Sequence, residues 1–185
     1  APLSISKKIV NEDQKIKAIL VNSGNANAGT GEKGYNDALD IQSYCAQKLG
    51  VDSHEVLISS TGVIGEYINV SAVKDGIDEL VGSLMDEAGT EAAEAILTTD
   101  LKKKHFAYKV KLSKGEITLG AICKGSGMIM PNMGTMLAFI GTDADIDNMV
   151  SAAAIALQKV DPDLANDEEA LEDALDLKCF GALMA

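Results

Sequence analysis

The chain has 185 residues, 46% of them hydrophobic and 24% charged, with a formal net charge of −12. That length suits one domain, or a two-lobed one, able to bury a core without disulfides or metal. The acidic balance argues against nucleic acid, whose phosphates it would repel. The apolar runs are far shorter than the ~20 residues of a membrane-spanning helix.

The first residues, Ala1 to Lys8, lack the apolar core of a signal peptide and an initiator Met, which leads us to expect that the chain begins inside a longer gene product. Ile16–Ser23 is expected to be a mostly buried strand. It runs into Gly24-Asn25-Ala26-Asn27-Ala28-Gly29, a loop of small and amide residues. Tyr35–Leu49 carries Ala38, Ile41, Cys45 and Leu49 at helical spacing, with Gly50 as the stop. Glu55–Ser60 is a second strand, ending in the turn Thr61-Gly62-Val63-Ile64-Gly65. Ser71 is expected to cap a helix bearing Val73, Ile77, Leu80 and Leu84, which Gly76 and Gly82 weaken. Thr90–Leu97 is another helix, closing at Thr98-Thr99-Asp100. Phe106–Leu112 and Ile117–Cys123 alternate as a hairpin about Lys114-Gly115. Leu137–Ile140 is an apolar strand. Ile146–Lys159 and a segment capped by Asn166 complete the helices. The acidic residues of 161–176 suggest a solvated helix face. This order predicts layered mixed α/β structure with hairpins, not a purely parallel doubly wound sheet.

The chemistry-bearing residues are few. Two histidines, His54 and His105, exclude a His-rich metal site, and Cys45, Cys123 and Cys179 lack metal-ligand spacing. We therefore expect no metal. Scattered, odd-numbered cysteines fit reduced thiols and a cytoplasmic home. Thr135 follows Gly134. A threonine hydroxyl needs a base, and the amine of the same residue, freed at a new N-terminus, is one solution. A small residue before the Thr lets the scissile backbone distort, and Gly134 does so. The same pair also reads as a plain turn into the strand that follows. Thr61-Gly62, a turn after a buried strand, can aim a hydroxyl and an N–H at one point, as an oxyanion hole requires; taken locally, a simple strand-to-loop turn is the commoner explanation. Lys124, among glycines, can meet a substrate carboxylate or be a solvated strand end. It is not part of a P-loop, whose glycine order is absent. Thr98-Thr99-Asp100 offers polar substrate contacts, or merely ends a helix.

Taken together, Asn22-Ser23-Gly24-Asn25-Ala26-Asn27-Ala28, Ser60-Thr61-Gly62-Val63-Ile64-Gly65, Thr98-Thr99-Asp100, Lys124-Gly125-Ser126-Gly127-Met128-Ile129 and Pro131-Asn132-Met133-Gly134-Thr135-Met136-Leu137 resemble, in order, the motifs of the ornithine acetyltransferase family, also called bifunctional glutamate N-acetyltransferase/amino-acid acetyltransferase. The likeness covers about Ala1 to Asp145. It implies arginine biosynthesis by a ping-pong transfer of acetyl from N2-acetylornithine to glutamate. Many such enzymes also take acetyl from acetyl-CoA, a substrate; no bound cofactor is implied. The precursor cuts itself before the nucleophilic Thr, and the resulting α and β chains form hetero-oligomers. The implied fold is a layered α/β sandwich resembling, but topologically distinct from, the N-terminal nucleophile hydrolases. By motif, Thr135 is the nucleophile, Gly134–Thr135 the cleaved bond, Thr61 and Gly62 the oxyanion hole, and Thr98, Lys124 and Thr135 the substrate contacts.

The division expected from this is an α-chain-like portion, 1–134, without the family's N-terminal stretch, and a shortened β-chain-like portion, 135–185. Gly134 replaces the family's usual Ala. Several expected β-chain segments, including a substrate-binding Glu, are absent, so we expect a fragment. Two alternatives stay open: a related self-processing amidase or aminopeptidase that sends the acyl group to water, and a non-catalytic relative.

Overall fold

The computed structural model describes residues 1–12, 16–85, 88–112, 115–126 and 136–143. Its elements in chain order are α1 (Pro2–Asn11), β1 (Ala18–Asn25), α2 (Gly31–Leu49), β2 (Val56–Val63), α3 (Val70–Gly82), α4 (Gly89–Ala95), β3 (Lys104–Leu112), β4 (Gly115–Lys124) and β5 (Leu137–Thr142). The helices expected over 146–159 and after Asn166 lie outside the described residues, as do Gly134 and Thr135.

The strands form two sheets, a parallel pair β1–β2 and an antiparallel sheet in the order β3–β4–β5. One α-helix lies between β1 and β2, and it is needed there: a parallel pairing requires a long crossover, and α2 supplies it. One face of α2 is apolar at helical spacing. Its Ile41, Cys45 and Ala46 pack with Val56 of β2, with Ile68 before α3 and with Ile77 of α3. Ala38 joins a second cluster with Leu57 and Ile58 of β2 and with Ile5 and Ile9 of α1. Gln42 is buried within this apolar setting because its amide donates to the Val56 carbonyl at 2.6 Å. Gly50 ends α2 in the left-handed conformation, φ +70°, as the sequence suggested.

Three local expectations are corrected. Helix α1 was not foreseen in the sequence; Pro2 opens it at a position where no N–H is needed, and Ile5 and Ile9 fall on one face. Its Ser6 hydroxyl both donates to the Ile58 carbonyl (2.8 Å) and accepts from the Ile58 N–H (3.0 Å), so a side chain satisfies the open edge of β2. Helix α3 is capped by Asn69, whose side chain accepts from the Ala72 N–H at 3.1 Å, and not by Ser71. And β2 does not stop at Ser60: it continues through Thr61 and Gly62 to Val63.

In the second sheet β4 is central. Its Leu119 is 1% exposed, packed by Phe106, Val110 and Ile117. The hairpin β3–β4 pairs from Lys104 with Cys123 to Leu112 with Gly115. β5 adds on the other side, with Leu137 opposite Lys124. Asp143, just past β5, accepts from the Thr118 N–H of β4 at 2.7 Å. Among the described residues no helix is long and apolar enough to cross a membrane.

Candidate active site

The polar ends of β1 and β2 lie side by side. Asn22 pairs with Ser60, Ser23 with Thr61, and Gly24 with Gly62. Thr61 and Gly62 therefore belong to a paired strand and not to the free turn expected from the sequence. Two glycines facing each other make this continuation feasible. A Cβ on Gly62 would come within 2.3 Å of the Gly24 carbonyl carbon, and its φ of +134° is one that L side chains rarely adopt.

The loops beyond the two strands are stitched together. Ala26 N–H donates to the Val63 carbonyl (2.9 Å) and Gly65 N–H to the Ala28 carbonyl (2.8 Å). The Asn25 amide donates to the Glu66 carbonyl (3.1 Å) and its carbonyl oxygen accepts from the Asn27 N–H (2.7 Å). Ser60 donates to Asn22 across the pair. Asn27, 1% exposed, accepts from Thr30 and donates to the Gly34 carbonyl. The density of amide side chains in this loop is the sequence signal of a buried network. Thr61 itself is 4% exposed.

Lys124 ends β4. The residue is 4% exposed, so it is no solvated strand end. Burial pushes its ammonium below the ordinary lysine range, and the charge of Asp100 partly offsets this. Among the described residues no hydrogen bond engages that ammonium. No fully enclosed side-chain nitrogen or oxygen among them lacks a partner.

Thr98 is exposed, in the bend after α4. The bend is tied on both sides. Ser23, the partner of Thr61, donates to the Ala95 carbonyl at 2.6 Å. On the other side the Ser126 hydroxyl donates to the Thr99 carbonyl (3.3 Å), and the Gly125 N–H donates to the Asp100 carboxylate (3.0 Å). A hydrogen-bonded path thus runs from Thr61–Ser23 through the 95–100 segment to Lys124–Ser126. Thr135 and the Gly134–Thr135 bond lie outside the described residues. Met136, next in the chain, is described: a Cβ on Gly125 would lie 3.2 Å from its Cα. Among the described residues no group of His, Cys, Asp or Glu side chains is placed to hold a metal ion.

The ArgJ family model matches residues 1–161. The chain belongs to the ArgJ family. It is 44% identical over 160 residues to the arginine biosynthesis bifunctional protein ArgJ of Oceanobacillus iheyensis, covering 86% of this chain and 38% of that protein. It is 45% identical over 146 residues to ArgJ of a Synechococcus species, covering 79% and 35%. The chain thus spans little more than a third of these curated relatives. Among solved structures it is similar to ArgJ of Bacillus halodurans, with a TM-score of 0.64 and 36% identity, covering 74% of this chain and 70% of that one. It is also similar to an ornithine acetyltransferase from Mycobacterium tuberculosis solved with ornithine, with a TM-score of 0.63 and 28% identity, covering 74% and 72%. The layered mixed α/β arrangement expected from the sequence is the fold shared with these ArgJ structures.

Proposed function

We propose that this chain is part of an acetyltransferase of arginine biosynthesis that moves acetyl from N2-acetylornithine to glutamate through an acetyl ester on Thr135, after self-cleavage between Gly134 and Thr135. The observation that carries the reading is Lys124: a buried ammonium without a hydrogen-bond partner among the described residues, opposite Leu137, two residues after Thr135 in the chain. Asp100 offsets only part of the cost of burying this cation, and an incoming carboxylate offsets more of it. Acetylornithine and glutamate share such a group. The names of the curated relatives and the ornithine bound to the structural neighbour agree with this.

In cleavage, the Thr135 hydroxyl attacks the Gly134 carbonyl, the acyl group shifts from nitrogen to oxygen, and water hydrolyses the ester. A Gly134 carboxylate and a free Thr135 amine result. In transfer, that neutral amine takes the hydroxyl proton as the oxygen attacks the acetyl carbonyl, then protonates the departing ornithine amine. Glutamate's amine attacks the ester and the steps reverse. Thr61 and the Gly62 N–H receive the negative charge of each tetrahedral intermediate, and Thr98 contacts the substrate. Acetyl-CoA as an alternative donor, and assembly of the cut α and β chains into hetero-oligomers, complete the proposal; no bound cofactor is required.

The test is a rapid-quench mass measurement on the full-length protein. Acetylornithine without glutamate should add one acetyl group to the Thr135-bearing fragment, and glutamate should discharge it as acetylglutamate, with parallel initial-rate lines. Acetyl transfer with intersecting lines and no trapped ester would mean direct transfer. An uncut, unacetylated, inactive protein would exclude the reading altogether.

A further inference from the structure

Lys124 has a buried acidic neighbour that the proposed chemistry does not use. The Asp100 side chain is 1% exposed. Both its oxygens accept from the Gly125 N–H, at 3.0 and 3.2 Å, and it pairs with the Lys104 ammonium. Lys104 in turn donates to the Gly125 carbonyl at 2.8 Å. The Gly125 peptide is therefore held at its N–H by an anion and at its carbonyl by that anion's own counter-ion. Gly125 is where the chain leaves β4 just after Lys124, with φ +152°, and lies against Met136.

We infer that Asp100 is a positioning residue: by gripping the Gly125 N–H and pairing with Lys104 it fixes the Lys124–Gly125 corner against the segment that follows Thr135, and sets a carboxylate beside the Lys124 side chain. The role in catalysis rests on the acetyl-transfer reading; the grip on Gly125 does not. The geometry explains why an acidic residue is needed here. A neutral acceptor could take the Gly125 N–H, but it could not hold Lys104 across the peptide or support a second, buried cation. The charges that face one another are Asp100, Lys104 and Lys124, with the Cys123 thiol beside them, itself held neutral by burial. Lys104 and the Gly125 N–H hold the Asp100 carboxyl below its ordinary range against the opposing effect of burial, so the carboxylate persists to lower pH than in a free Asp.

The experiment uses the full-length protein and Asp100→Asn, with Lys124 followed directly by the NMR titration of its 13Cε, assigned from Lys124→Met. Asp100→Asn should lower the Lys124 titration midpoint by about one pH unit, a tenfold change in the protonation equilibrium. It should raise KM for both carboxylate substrates about tenfold, with a smaller change in kcat, and add less than about twofold in the Lys124→Met background. An unshifted Lys124 midpoint, or a KM effect that persists in full without Lys124, overturns the inference. If Asp100→Asn does not fold, the parent protein decides. On acidification the Gly125 amide and the Lys124 13Cε should move with the same midpoint as the Asp100 carboxyl, and separate midpoints would refute the coupling. If the parent protein transfers no acetyl group while the titrations are linked, the functional reading fails and the positioning of Lys124 by Asp100 stands.

Discussion

Gly62→Ala puts the close approach of the two strand ends to the test. The new methyl would lie 2.3 Å from the Gly24 carbonyl carbon, 2.5 Å from its oxygen and 2.7 Å from the Asn25 nitrogen. These are backbone atoms of a paired strand, and they cannot swing aside as a side-chain tip could. Two costs combine. Holding alanine at φ +134° costs about 1–3 kcal/mol. Forcing an extra carbon into a filled site costs about 1–3 kcal/mol more. The sum, about 2–6 kcal/mol, is a large share of the 5–15 kcal/mol that typically holds a domain together. At roughly 2–4 °C per kcal/mol for a chain of this size, Tm should fall by about 4–24 °C in a circular-dichroism melt. Gly24→Ala is the internal control. Its φ of +98° brings the same kind of strain, but nothing lies within 4 Å of the added carbon. Its loss should be confined to the strain, about 1–3 kcal/mol. If Gly24→Ala costs as much as Gly62→Ala, or Gly62→Ala melts with the parent, the close approach is not what demands glycine there and the argument is wrong.

Other expectations follow from the same geometry. Thr61→Ala should slow both cleavage and acetyl transfer by ~10²–10³-fold with little change in KM, read from single-turnover rates, because an oxyanion contact strengthens only in the transition state. Lys124→Met should raise KM for acetylornithine and glutamate with a smaller loss in kcat. The pH dependence has a definite sign. The ammonium form binds the carboxylate and burial lowers its pKa, so the parent's KM should climb as pH rises through that lowered value, while the KM of Lys124→Met should not respond to that titration. Gly76→Ala, in the interior of α3 with no atom within 4 Å of the new methyl, should stabilise the fold by ~0.4–1 kcal/mol in urea titration; a loss would mean that α3 packs differently.

The elements that were legible in the sequence are those whose pattern is local. Helix α2 announced itself through Ala38, Ile41 and Cys45 and through Gly50, because helical period and a left-handed stop are written within one stretch of chain. The hairpin β3–β4 was equally plain from alternation and its turn. The continuation of β2 through Thr61 and Gly62 was not, since glycine after a buried strand ordinarily marks an exit. What overrides this is Gly24, 38 residues earlier, and no local pattern reports a partner at that distance. Helix α1 was missed for a related reason. Its propensity is ordinary, and what fixes it is burial of Ile5 and Ile9 on β2.

The site shows the same division more sharply. Its motifs were recognisable as runs of residues, and the family assignment agrees with them, but the runs gave no hint of how they are joined. Ser23 reads as a strand-end hydroxyl, yet its bond to the Ala95 carbonyl ties the first sheet to the segment bearing Thr98. Asp100 reads as the end of a helix, yet it holds Gly125 from 25 residues away. Each joint is a single polar side chain meeting a backbone group, a contact that any Ser or Asp could make and that only the folded chain selects. Lys124 completes the point. A lysine between a strand and a glycine is normally solvated; here it is buried, with Leu137 of β5 paired to it and Asp100 of the bend bonded to the next residue. The charge of Asp100 and the pairing with a third strand turn what reads locally as a surface cation into a buried one.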